Sequence, residues 1–169
     1  MRKSLWIVAV AVSAMGIGGA AAADIADLER QLDQARKDAP ISVAPFLVVT
    51  QPAPYFGGYT PRKDAVFKRG EEMLFYAEPK NLIYPKNAQG IYKPAFDVDL
   101  EVTGPDGKTF KQPKFASLKL DTRSRLQDLY LNLNVSLSQA PAGIYKVKFT
   151  IRDLNSPKTA SFGQDVTLK

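Results

Sequence analysis

The chain predicts an all-β fold, an antiparallel sandwich preceded by one short helix, and three observations carry that expectation. Residues 129–137 read Leu-Tyr-Leu-Asn-Leu-Asn-Val-Ser-Leu, an unbroken alternation of apolar and polar side chains. The same alternation recurs at 96–102 and 145–151. Successive side chains on a strand point to opposite faces, so each segment has one apolar and one wet face. Between such segments, Gly104-Pro-Asp-Gly107 and Asn155-Ser-Pro-Lys158 supply turn chemistry.

Residues 1–23 stand apart from that pattern. Arg2 and Lys3 precede a strongly apolar stretch at 5–12 and a Gly- and Ala-rich stretch, and Ala21-x-Ala23 offers small residues to a signal peptidase. This predicts a secretory signal cleaved after Ala23, and with it a periplasmic or secreted address. The alternative is a membrane anchor, because 5–23 holds nineteen uncharged residues, near the length that crosses a bilayer. Its second half is Ala and Gly, which insert weakly, so membrane attachment is expected only through an uncleaved signal. Cleavage leaves 146 residues, enough for one domain with its own core. The signal holds two of the 23 Lys and Arg and none of the 17 acids, which lowers the net charge from +6 to +4. The charges form no run of five, and an exported chain is a poor candidate for nucleic acid. The single Trp, Trp6, lies in the signal.

Residues 24–38 read as an amphipathic helix, within an N-terminal segment 24–40. Ile25, Leu28, Leu32 and Ala35 recur at three and four residues and form one narrow stripe. Asp24, Asp27 and Glu29 at the start and Arg36 and Lys37 at the end suit the helix dipole. Asp33 and Lys37 are spaced as an i,i+4 pair, and Pro40 ends the helix. About fifteen residues are marginal as an isolated helix. The stripe must therefore pack, either on this chain's sandwich or on a second copy in a homodimer.

The sandwich domain is expected over 41–169. A first strand falls at 41–50, where Pro45 indicates an edge, and 51–61 is a loop with three prolines and Gly57-Gly58. Further strands are expected at 72–78, 95–103, 109–115, 129–137, 144–153 and 159–168. Seven short strands in about 125 residues point to an immunoglobulin-like sandwich. Gly143-Ile-Tyr145, followed by Val147, Phe149 and Ile151, resembles the opening of a late strand in bacterial immunoglobulin-like domains. There the Tyr hydroxyl bonds back to the preceding corner. Phe67-Lys-Arg-Gly-Glu71, continued by Phe75-Tyr-Ala-Glu-Pro-Lys-Asn81, is similar to a Phe-x-x-Gly-Glu…Tyr-x-Glu-x-x-Asn pattern. That pattern is found in exported bacterial β-sandwich proteins of uncharacterised function. The resemblance covers roughly 55–169, implies a sandwich outside the cytoplasm and carries no activity with it.

The absence of Cys and His narrows the chemistry. A Ser-His-Asp triad, a Cys nucleophile, a His-ligated metal and a thiolate cluster are all excluded. Carboxylate, Lys and Tyr chemistry remains, and no cofactor is expected. Asp97, Asp99 and Glu101 alternate with Val98, Leu100 and Val102, so three acids share one strand face. A hard cation would want such oxygens. Residues two apart on a strand are however ~7 Å apart, and Lys146, Lys148 and Arg152 on a paired strand would neutralise them instead.

The loop at 51–61 is the leading candidate for recognition. Tyr55, Phe56 and Tyr59 sit among Gly and Pro, a composition suited to a rigid aromatic platform, and Tyr84 and Tyr92 in the 81–93 connection are expected to extend it. The alternative is that these rings cover the end of the sandwich as outlying core. Glu78, with Glu71 and Glu72 nearby, invites comparison with a glycosidase carboxylate pair. Nothing in the spacing places two of them across a cleft, and Glu78 is expected to bind backbone amides. Arg123 and Arg125 read as an exposed connection.

These readings converge on a non-enzymatic exported module that recognises a protein or envelope component through aromatic loops or a sheet edge. Two alternatives stay open. One is a self-associating structural protein using the 24–38 helix; the other is a small carboxylate-, Tyr- or Lys-based enzyme or ligand-sequestering protein.

Overall fold

The computed structural model describes residues 24–169; the expected signal lies outside the described residues. Helix α1 (Ile25–Asp38) is followed by eight strands: β1 (Ser42–Val48), β2 (Val66–Phe67), β3 (Met73–Lys80), β4 (Ala95–Thr103), β5 (Thr109–Lys119), β6 (Leu131–Val135), β7 (Gly143–Asp153) and β8 (Thr159–Leu168). They form two sheets, one in the order β1-β3-β6 and one in the order β2-β8-β7-β4-β5. The chain is mostly β with one short helix, and the two sheets fit a sandwich. Among the described residues no helix is long and apolar enough to cross a membrane.

Period-two patterning explains the larger sheet. Along β4, Phe96, Val98, Leu100 and Val102 are buried in the core, and along β7 Tyr145, Val147, Phe149 and Ile151 are buried with them. β4 and β7 pair antiparallel with Val98 against Ile151 and Leu100 against Phe149, so like faces meet. The β4–β5 hairpin turns where Gly107 N–H donates to the Gly104 carbonyl at 3.0 Å. Gly107 adopts φ +78°, a conformation that favours glycine. At the other end of β4, the buried Asp153 carboxylate accepts from the Ile83 and Asn155 amides at 2.8 and 2.9 Å and from the Ser156 hydroxyl at 2.9 Å. This knot ties the 81–94 connection to the sheet.

Phe46, Phe75, Phe149 and Phe162 close one side of the sandwich. Phe46 stacks on Phe75 at 5.6 Å and meets Phe162 edge-on at 5.1 Å, while Phe149 contacts Phe75 at 5.5 Å and Phe162 at 5.6 Å. Aromatic pairs in such geometries add about 0.5–1.5 kcal/mol each beyond the area they bury. β1 is an edge strand with Pro45 at its bulge, as expected. β2 is an addition to the expected strands, two residues lying parallel to the end of β8. β6 is shorter than the alternation at 129–137 suggested, because Leu129 and Leu137 pack on the core without joining the ladder.

The helix differs most from expectation. It is capped by Asp24, whose carboxylate accepts from the Ala26 amide, but none of its residues is buried. Ile25, Leu28 and Leu32 are 73%, 50% and 48% exposed, and Ala35 is exposed too. Its polar residues face the body instead: Asp33 pairs with Arg125 at 2.7 Å, and Arg36 donates to Gln127 at 3.1 Å. Lys158 Nζ donates to the Arg36 and Ala39 carbonyls at 2.8 and 2.6 Å, a favourable place for a cation at a helix C-terminus. Asp33 is thus paired with Arg36 and Arg125, not with Lys37. The stripe does not pack on the chain's own sandwich.

Candidate functional site

Three places on the fold are candidate sites, two of which hold aromatic side chains singled out in the sequence. The first is built on β3, whose run Met-Leu-Phe-Tyr-Ala is apolar on both faces. Met73 and Phe75 enter the core between the sheets, while Leu74 and Tyr76 face the other way, into a second cluster with Val49, Ala53, Tyr59 and Tyr130. The 51–61 loop folds over that outer face. Asn132 clamps it, donating to the Ala53 carbonyl and accepting from the Ala53 amide, each at 2.9 Å. Tyr76 is fully buried at the centre, with Tyr59 at 4.5 Å on one side and Tyr130 at 5.8 Å on the other. Its hydroxyl donates to Glu78 Oε1 and accepts from the Gly57 amide, both at 2.8 Å. Burial, and next to it the neighbouring Glu78 carboxylate, push the Tyr76 hydroxyl up to about 12, with the Gly57 amide pulling against them.

The aromatic platform is therefore smaller than its composition suggested. Tyr59 belongs to the cluster around Tyr76, Phe56 is half-buried, and Tyr55 alone of the three is mostly exposed, at 67%. Tyr84 and Tyr92 do not extend it; they line a different cleft, with α1. Glu78 accepts from a tyrosine hydroxyl in place of backbone amides, and Glu71 is held by Arg62 and the Lys68 amide. Arg62 and the Lys68 amide also hold the Glu71 carboxyl below the usual range.

The acids of β4 lie on the outer face of the larger sheet, each engaged by protein donors. Arg152 takes Asp99 in a fork at 2.8 and 2.9 Å and reaches Asp97 at 3.7 Å, and Ser117 donates to Asp97 at 2.7 Å. Glu101 sits between Lys148 at 3.0 Å and Lys111 at 3.1 Å. On β4 Lys146 lies opposite Thr103 and not opposite one of these acids; on β8 it lies opposite Asp165. Hydrogen bonding from Arg152 lowers the Asp99 pKa, and the same bond raises that of Arg152.

The second place is the open side between β5 and β6. Among the described residues β5 is hydrogen-bonded only to β4 and β6 only to β3, so each presents an edge that none of them pairs with. Between them lies a trough of about 600 Å³ lined by Leu100, Val102, Phe110, Phe115, Leu137 and Tyr145 among others, within the range of ligand sites. Phe110 is paired with Val102 and so stands on the inner face of its sheet, yet it is 60% exposed. No strand of the smaller sheet covers it. β5 carries Lys111, Pro113 and Lys114 and is offset by a bulge opposite Val98–Leu100, the features that discourage edge pairing. β6 has neither Lys nor Pro. The Tyr145 hydroxyl donates to the Pro141 carbonyl at 2.7 Å and fixes the corner at one end of the trough.

The third place is a cleft of about 390 Å³ between α1 and the 83–92 connection. Arg125 lies 4.7 Å over the Tyr84 ring and Lys86 lies 5.0 Å over the Tyr92 ring. The Arg125 side chain is only 14% exposed, so it is withdrawn from water against expectation, whereas Arg123 is exposed as its charge suggested. Burial raises the pKa of the Tyr84 hydroxyl, with Arg125 and Arg36 partly opposing. No family model matches the chain, and no curated protein matches it.

Tyr76 and Phe110 are not among the candidate residues of the sequence, and Arg125 reads there only as part of an exposed connection. Tyr76 had a legible signal, since a continuous apolar run at strand length marks a strand buried on both faces. Phe110 and Arg125 had none, because an open sheet edge and a helix docked by its polar face are properties of the assembled fold.

Proposed function

We propose that the chain is a non-enzymatic, exported, immunoglobulin-like binding module that takes up an extended segment of a partner protein along its open side. The observation that carries this reading is the apolar trough between two free sheet edges, with the inner-face Phe110 left 60% exposed. An added strand on β6 would gain main-chain hydrogen bonds, and its alternate side chains would cover Phe110 and the half-buried Phe115 and Leu137. The short turns and the Tyr145–Pro141 corner are consistent with an immunoglobulin-like topology. The tightly engaged carboxylates of Glu71 and Glu78 favour binding over catalysis.

Selection of ten-residue peptides against the protein, followed by amide exchange, tests this. Binders should alternate apolar and polar residues and slow exchange across residues 131–135, and Phe110→Asp should weaken them at least tenfold while Tyr55→Ala leaves them unchanged. Binders without alternation, or binding lost on Tyr55→Ala instead, would refute it. A second reading, homodimerisation through α1, is favoured by the outward stripe of Ile25, Leu28 and Leu32. Sedimentation with and without residues 24–38 decides it, since an unchanged monomer in both forms would dispose of the dimer.

A further inference from the structure

The cleft beneath α1 has a charge imbalance that the fold itself does not require. Arg36 and Arg125 share a single carboxylate, Asp33, at 3.6 and 2.7 Å. Lys37 and Lys86 stand on the same lining, so among the described residues four cations face one acid there. Both guanidiniums are largely withdrawn from water, at 23% and 14% side-chain exposure. Two such groups held beside one carboxylate repel each other with little screening. Uncharged groups help to keep the arrangement in shape: Tyr84 and Tyr92 support Arg125 and Lys86 from below, and Gln127 accepts from Arg36; outside the lining, the buried Asp153 carboxylate fixes the connection at Ile83.

We propose that this cleft binds a phosphate monoester group. The surplus of three positive charges exceeds what one further carboxylate would balance, and a phosphate monoester carries about −1.5 to −2 at pH 7. Guanidinium forks match its oxygens in pairs, and Lys37 and Lys86 supply point charges at the rim. The volume of about 390 Å³ admits the headgroup and a small substituent. Because the lining joins α1 to the 83–92 connection, the bound group would also clamp the helix to the body. The site is independent of the trough between β5 and β6.

The test uses the protein beginning at Asp24. Inorganic phosphate and sn-glycerol 3-phosphate are titrated at constant ionic strength against chloride, reading the melting temperature and the amide shifts of residues 33–37 and 83–92. Saturable shifts confined to those residues are expected. Lys37→Gln with Lys86→Gln, both exposed positions, should weaken binding about tenfold, and Arg125→Lys, which keeps the charge but loses the fork, should weaken it comparably. Vesicles containing phosphatidic acid distinguish a lipid headgroup from a soluble ester; capture by them over phosphatidylcholine vesicles assigns the lipid, and binding of the soluble esters alone assigns the free ester. Shifts no larger than those of chloride, or unaltered affinity in the double lysine variant, would overturn the proposal.

Discussion

Replacing Tyr76 by Phe removes one oxygen atom from the middle of the molecule and leaves the ring in place. That oxygen makes two hydrogen bonds of 2.8 Å, donating to Glu78 and accepting from the Gly57 amide. Glu78 is only 6% exposed, and its other charged neighbour, Lys80, stands 4.0 Å away. A lost bond to a buried carboxylate costs about 1.5–3 kcal/mol, and the lost amide bond about 0.5–1 kcal/mol more. Tyr76→Phe should therefore destabilise by about 3 kcal/mol, or roughly 6–12 °C in melting temperature. The pH dependence carries a second signature. The Tyr76 hydroxyl is held at about 12 in the fold, whereas an ordinary tyrosine releases its proton near 10. The stabilisation is fully present below pH 10 and is lost as pH rises toward 12, because the unfolded chain ionises first. Two units correspond to about 2–3 kcal/mol. Urea unfolding of both forms between pH 8 and 12 is the assay. The two stabilities should converge as pH rises. A variant within 0.5 kcal/mol of the parent at pH 8, with parallel profiles to pH 12, would refute the argument.

Two further outcomes follow from the same geometry. Tyr59→Ala should cost about 2 kcal/mol, since its ring lies against Tyr76 at 4.5 Å with a tilt of 36°, while Tyr55→Ala, at 67% exposure, should stay within about 0.5 kcal/mol; equal effects in denaturant melts would contradict the division of the loop. Asp99→Asn should lower stability at pH 7 by about 1 kcal/mol, a modest figure because the pair with Arg152 is partly exposed. As Arg152 lowers the Asp99 pKa, this contribution is present above the ordinary carboxylate value and is lost as pH falls below it. The variant and the parent should thus converge in acid, and a gap that persists to pH 2 would count against the pairing.

Where local pattern and tertiary environment agree, the fold was legible. The alternation at 96–102 and 145–151 placed the inner and outer faces of β4 and β7, and from those faces followed the pairing of Glu101 with Lys148 and the proximity of Arg152 to Asp97 and Asp99. Pro45 marked β1 as an edge. β2 was not legible, because two residues beside the end of β8 have no pattern of their own. The helix was legible as a helix but not in its orientation. Its stripe argued for an inward apolar face, yet the ion pair from Asp33 to Arg125 and the bonds from Lys158 turn the polar side inward. Of the five aromatic residues singled out, Tyr55, Phe56 and Tyr59 fall at the Tyr76 cluster or its margin and Tyr84 and Tyr92 in the cleft beneath α1. Composition identified the rings; only the register of β3 and the docking of α1 decide which of them face water.

β3 forms the common wall of two apolar clusters, with Phe75 closed off on one side and Tyr76 on the other. A loop laid over an ordinary outer face opens at little cost, but lifting residues 51–61 would wet a buried tyrosine and release both Asn132 bonds. The loop and the sandwich are thus one cooperative unit. The Gly57 amide, in a surface segment by sequence but bonded to the buried Tyr76 hydroxyl, should therefore exchange on the timescale of global unfolding rather than that of loop motion.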